Sequence, residues 1–159
     1  MRLLTTVSLC MFLAACGAGS TTVMDPYTGP AYNASGAALL QMGSNVEVPD
    51  EIKEEFKKSM QKEFFEKGVF EEGTALKVEY TFVQFEAGNR FSRWFWGGIG
   101  NSGEASLTVQ IDFKKPDNSS LSTINVTGKI GSGFFGGSVS SALDKAAEEA
   151  ATYAAANFR

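Results

Sequence analysis

Apolar residues along this chain recur with two different periods, and the change from one to the other divides it into elements. Ile52, Phe56, Met60 and Phe64 fall every fourth residue, with charged residues between them. That spacing lines one face of a helix. Pro49-Asp50-Glu51 opens it, because proline is tolerated in the first helical turn and acidic residues there offset the helix dipole, and Gly68 ends it. Glu54/Lys58, Lys62/Glu66 and Glu63/Lys67 stand four apart, as ion pairs on its solvated face. From Leu76 the period becomes two. Leu76, Val78, Tyr80 and Phe82 alternate with polar residues, and Ala105, Leu107, Val109, Ile111 and Phe113 do so more cleanly. Both runs predict half-buried strands. Lys115-Pro116-Asp117-Asn118-Ser119 has the chemistry of a turn, so Leu121 to Ile130 is a hairpin partner with Ile124, Val126 and Ile130 on its apolar face. A last helix starts near Ser140, with Leu143, Ala146, Ala150, Tyr153, Ala154 and Phe158 at helical spacing. Its alanines favour helix and allow close packing. A short apolar run, Ala37 to Met42, predicts a strand ahead of the first helix.

The predicted order is β-α-β-β-β-α. One apolar face per strand and two amphipathic helices predict an α+β two-layer sandwich: a mainly antiparallel four-stranded sheet covered on one face by both helices. In that arrangement the segments 43–49, 87–103 and 131–138 share the upper end of the domain, and the chain enters at the lower end. Two of these segments are unusual. The longer runs Gly88-Asn89-Arg90-Phe91-Ser92-Arg93-Trp94-Phe95-Trp96-Gly97-Gly98 and holds both tryptophans; the other runs Gly131-Ser132-Gly133-Phe134-Phe135-Gly136-Gly137. Aromatic residues with arginine are enriched in interface hot spots, and glycine lets a partner approach the backbone. Arg90, Arg93, Trp94, Phe95, Trp96, Phe134 and Phe135 are therefore the candidate partner-binding residues. An equal alternative is that these aromatics fold back and plug the end of a narrow sandwich.

The N-terminus adds an anchor to this picture. Met1-Arg2-Leu3-Leu4 leads into an apolar run that closes on Ala14-Ala15-Cys16, the charge, apolar core and small-residue cleavage site of an export signal. The run is too short to span a bilayer, which takes roughly 20 residues as a helix. Leu13-Ala14-Ala15-Cys16 resembles the lipobox of bacterial lipoproteins, which implies cleavage after residue 15 and lipidation of Cys16. Two acyl chains, at about 0.8 kcal/mol per buried methylene, suffice for stable anchoring. Gly17, not an aspartate, follows the cysteine; by the same resemblance the protein is sorted to the outer membrane, facing the periplasm. Residues 16–33 are small and polar with Pro26, Gly29 and Pro30, and predict a flexible tether; residues 34–159 form a single domain.

Composition removes several kinds of chemistry. The 159 residues include no histidine and two cysteines, of which Cys10 leaves with the signal. No imidazole base, His-ligated metal, free thiolate or internal disulfide remains to the domain. A net charge of -4 argues against nucleic acid. Gly131/Gly133/Gly136 match a Gly-x-Gly-x-x-Gly spacing between strand and helix, but no parallel strand follows, so neither nucleotide nor any other cofactor is expected. Gly98/Gly100/Gly103 match it too, ahead of a strand rather than a helix. Glu86 and Glu104, at the strand ends beside the aromatic segment, are the best acid–base pair on offer. The same glutamates would serve as well for solvated ion pairing with Arg90 or Arg93.

Val48-Pro49 before an amphipathic helix, Gly88-Asn89-Arg90 and Arg93, Gly-x-Gly before a strand, and Gly133-Phe134-Phe135-Gly136-Gly137 before an alanine-rich C-terminal helix follow one another in a telling order. Over residues 37–158 this resembles the bacterial lipoprotein family known as domain of unknown function 4410. The aromatic Trp94-Phe95-Trp96 departs from the less bulky stretch expected there. The resemblance implies an envelope lipoprotein and no particular activity. The reading that follows is a non-enzymatic, membrane-anchored module that binds an envelope protein or assembles with itself. A carrier of an apolar ligand between helices and sheet comes second, and a hydrolase built on Glu86 and Glu104 third.

Overall fold

A computed structural model describes residues 18–86, 105–130 and 139–159. Its strands are β1 (Ala18–Asp25), β2 (Gly36–Ser44), β3 (Glu71–Glu72), β4 (Leu76–Glu86), β5 (Ala105–Lys114) and β6 (Ser120–Ile130), and its helices α1 (Asp50–Gln61) and α2 (Val139–Phe158). They form one mixed sheet in the order β1-β6-β5-β4-β2-β3. β1, β6, β5 and β4 pair antiparallel, whereas β2 lies parallel to both β4 and β3. The α+β class and the two amphipathic helices match the sequence expectation.

The periodic elements form for the reasons their spacing indicated. Ile52, Phe56, Met60 and Phe64 are at most 1% exposed. They pack on alternate β4 residues, Phe56 meeting Tyr80 at 5.6 Å and Phe82 at 5.7 Å between ring centres. Phe113 of β5 meets Phe158 of α2 at 5.1 Å. Such aromatic contacts fill the layer between sheet and helices, and truncating one of these rings to alanine costs about 3–5 kcal/mol. Pro49 caps α1, its carbonyl accepting the amides of Ile52 and Lys53. The turn before β6 closes through Lys115 N–H to Ser119 O, with Asn118 left-handed at φ 67°. Asp117 accepts from the Ser119 hydroxyl and amide, which holds its carboxyl below the usual range.

Three features depart from expectation. The sheet has six strands, not four, and is mixed, with β2 parallel to β4 and β3 beside three antiparallel pairings. Residues 18–25, read as tether, form β1 and pair with β6 from Ala18↔Lys129 to Asp25↔Thr123. β1 carries no apolar alternation because backbone bonds to β6, not side-chain burial, hold most of it. Thr21 adds a 2.7 Å hydrogen bond to Glu149 of α2. Finally, α1 runs on into a π-helical turn, Lys62–Glu66, after which Phe70 N–H bonds back to Phe64 O and the two-residue β3 joins the edge of β2.

The face of the sheet away from the helices is polar. Thr108 meets Thr127 at 2.9 Å, Thr123 donates to Asp112 at 2.6 Å, and Lys114 reaches Glu79 at 2.5 Å. That last bond raises the Lys114 pKa. A half-solvated sheet face normally has this composition.

Candidate functional site

Pairing register fixes which residues share the end where β4 and β6 finish. Glu86 faces Ser106, Ser106 faces Lys129, and Lys129 faces Ala18, so one straight row crosses the sheet. From Glu86 to Ala18 is three strand spacings, about 14 Å at ~4.8 Å each. The described rim of this end includes exposed Glu47, Asp50, Glu51 and Glu86 against Lys53 and Lys129. Glu86 accepts a 2.9 Å hydrogen bond from Gln84 Nε2.

This register corrects the expected entry of the chain. A tether entering at the lower end would place Cys16 far from the Trp-bearing segment. Because β1 descends alongside β6, residue 18 stands at the upper end instead, in line with the residue from which segment 87–104 departs. Cys16 precedes Ala18 by two residues, which span at most about 7 Å. Cys16 itself, Arg90, Arg93, Trp94, Phe95, Trp96, Phe134, Phe135 and Glu104 lie outside the described residues. Of the suggested acid–base pair, then, Glu86 alone is described.

A second polar cluster joins the helices. Ser59 donates to Asp144 at 2.6 Å and Lys62 reaches the same carboxylate at 3.1 Å, while Lys67 pairs with Glu63 at 2.6 Å. Burial alone would raise the Asp144 pKa, but the bonds from Ser59 and Lys62 outweigh it and the net shift is downward. The Glu63 bond raises the Lys67 pKa. Ser59 is 4% exposed and its hydroxyl proton is engaged by the carboxylate, so the arrangement fastens α1 to α2 rather than presenting a nucleophile. Sequence spacing paired Lys62 with Glu66 within one helix; the partner from α2 lies 82 residues on and no local pattern reveals it.

An open groove of about 620 Å³ at the opposite, lower end is lined by Ser35, Phe65, Phe70, Glu71, Glu72 and Arg159, among others. Among the described residues no group of three or more Asp, Glu, Cys or His side chains could hold a metal, and no helix is long and apolar enough to cross a membrane.

The architecture is that of a small α+β domain, a mixed six-stranded sheet with two helices packed on it, and comparison with known proteins places it. A family model described as domain of unknown function (DUF4410) matches residues 31–156, and the chain belongs to that family. No curated protein matches it. Among solved structures it is similar to the PelC dodecamer from Paraburkholderia phytofirmans, with TM-score 0.56 and 11% identity over 90% of this chain and 99% of that one. A point variant of that dodecamer from the same organism gives TM-score 0.50 and 12% identity over 90% and 98%. At such identity the likeness is one of fold.

Proposed function

We propose that this protein is a lipid-anchored, non-catalytic assembly module of the bacterial envelope, held through Cys16 in the outer membrane, facing the periplasm, with its Gly- and aromatic-rich end against the bilayer. The row Glu86–Ser106–Lys129–Ala18 carries this reading. A lipid on Cys16 draws that end to the membrane surface, and the segment with Trp94, Phe95 and Trp96 leaves the fold within about 14 Å of the leash. Tryptophan is enriched at bilayer interfaces, where its apolar ring and N–H meet matching surroundings. The rim is more acidic than basic, so acyl chains and aromatic burial, not attraction to anionic headgroups, would seat the domain.

Assembly with further copies is supported by the fold neighbour, which is a dodecamer. The interlayer that an apolar cargo would need is occupied by Phe56, Phe64, Phe82, Phe113 and Phe158, each 0% exposed, which favours the assembly module over a carrier.

The chain has two tryptophans, so its indole fluorescence reports on residues 94 and 96 alone. Full-length protein purified from membranes and reconstituted with lipids brominated near the headgroup should show strong quenching. Cys16→Ser should move the protein from the membrane to the soluble periplasmic fraction. Unquenched tryptophan in protein that stays membrane-bound would refute the proposed orientation.

A further inference from the structure

The two outer edges of the sheet share a chemistry that free edges usually avoid. β1 closes one side and pairs, among the described residues, with β6 alone. On the other side β3 covers only Gly36 and Ala37 of β2, and no other described strand covers Ala38–Ser44 on that side. Each edge therefore presents a row of backbone N–H and C=O groups. Natural sheets blunt such rows with lysine, proline, inward charge or bulges, and here each strand has one irregularity, between Val23 and Asp25 in β1 and between Gln41 and Gly43 in β2. Neither strand here contains lysine or proline, and Asp25, at the end of β1, is their one charge. Moreover, the exposed large hydrophobic residues among those described are Val23 (45%), Met24 (58%), Leu40 (39%) and Met42 (60%), and all four lie on these two strands. One bulge each leaves the rest of both edges open, and exposed apolar side chains confined to such edges mark surfaces that a further strand covers.

We propose that the strand covering each edge belongs to a second copy of this chain, with β1 of one copy pairing antiparallel to β2 of the next. The directions fit. Through the chain of pairings β1 runs opposite to β2, so two copies standing side by side with the same end up meet in an antiparallel joint. The heights fit as well: Leu40, Glu79, Asp112, Thr123 and Asp25 share one row, so copies at equal height set Leu40 level with Asp25 and its neighbour Met24. The inference rests on the membrane-anchored assembly reading, which also selects this joint. An antiparallel β1–β1 or β2–β2 pair would point its two copies in opposite directions and put their Cys16 anchors at opposite ends, where one bilayer cannot hold both. A β1–β2 joint is head-to-tail, so each added copy leaves one edge free until a ring closes.

The test uses the full-length chain in detergent, sized by light scattering, with Met24→Cys and Leu40→Cys variants treated with a short bismaleimide and the unsubstituted chain as control for Cys16. Mixing the two variants should yield a covalent dimer that neither gives alone. Leu40→Lys with Met42→Lys should abolish the oligomer while leaving the circular dichroism unchanged, since both side chains are exposed. Oligomers that persist in the double-lysine variant, or Met24→Cys protein that crosslinks as well alone as in the mixture, would overturn the edge joint and leave assembly standing. A monomer at every concentration would overturn assembly itself, and the joint with it.

Discussion

Gly128 offers the sharpest test of how α2 sits on the sheet. A Cβ built on it would stand 2.1 Å from the Ala142 carbonyl oxygen, 2.8 Å from that carbonyl carbon and 3.4 Å from Ala146 Cβ. A carbon rests against a carbonyl oxygen at about 3.3 Å, so Gly128→Ala must push the helix backbone outward by about 1 Å. Overpacking of this kind costs about 1–3 kcal/mol. Removing a glycine from the unfolded chain returns about 0.4–1 kcal/mol where the new residue fits, and here it does not fit. We expect a net loss of about 2 kcal/mol. At a urea m-value of about 2 kcal/mol/M the midpoint falls by roughly 1 M. Gly19→Ala is the control: its Cβ would meet Glu149 Cγ at 3.0 Å and Lys145 O at 3.1 Å, so neighbours need give only a few tenths of an ångström. Its loss should stay under about 1 kcal/mol. Urea unfolding followed by far-UV circular dichroism reads both. A Gly128→Ala midpoint equal to or above that of the unsubstituted protein would refute the close seating of α2 on β6.

Asp144 titrates below its ordinary 3.8 when folded, so its contribution is present above that pH and disappears as pH falls through the lowered folded value. Asp144→Asn should therefore be less stable than the parent at pH 7, the gap narrowing as pH falls below 3.8 in paired urea titrations. Ser59→Ala should cost about 1 kcal/mol at pH 7, a charged hydrogen bond discounted for partial exposure of the carboxylate. Burial pushes the Tyr80 phenol up to about 12; stability from keeping it neutral holds below pH 10 and is lost as pH rises through the folded value, so ultraviolet titration of native protein should show a late-ionising phenol that Tyr80→Phe removes. Asn125 has a buried Oδ1 with no hydrogen-bond partner among the described residues; Asn125→Thr, a better strand former without that orphan acceptor, should raise stability by about 0.5–1 kcal/mol, read as a higher urea midpoint.

What the sequence revealed and what it hid divide along physical lines. Ile52, Phe56, Met60 and Phe64 announce α1 because a single buried face forces a period, and β4, β5 and the Lys115–Ser119 turn are legible for equally local reasons. β1 is not legible. Ala18–Asp25 buries little, and the groups that hold it, the β6 backbone and Glu149, lie about a hundred residues or more away. The candidate site shares that fate. Clustered Trp94, Phe95 and Trp96 stand out by composition alone, but the end at which residue 18 joins the sheet, level with Glu86, depends on β1 and is the opposite of the lower end expected.

β1 would also decide how the lipid anchor proposed at Cys16 carries mechanical load. In an antiparallel pair the hydrogen bonds run perpendicular to the strands. A pull on a lipid at Cys16, directed along the strand axis, therefore shears all seven Ala18–Asp25 pairings with β6 together instead of opening them one by one. Only when that clamp yields do residues 18–25 become a leash, extending to about 27 Å, while Tyr32 and Ala34 still tie the chain beyond them to Ala75 and Phe158.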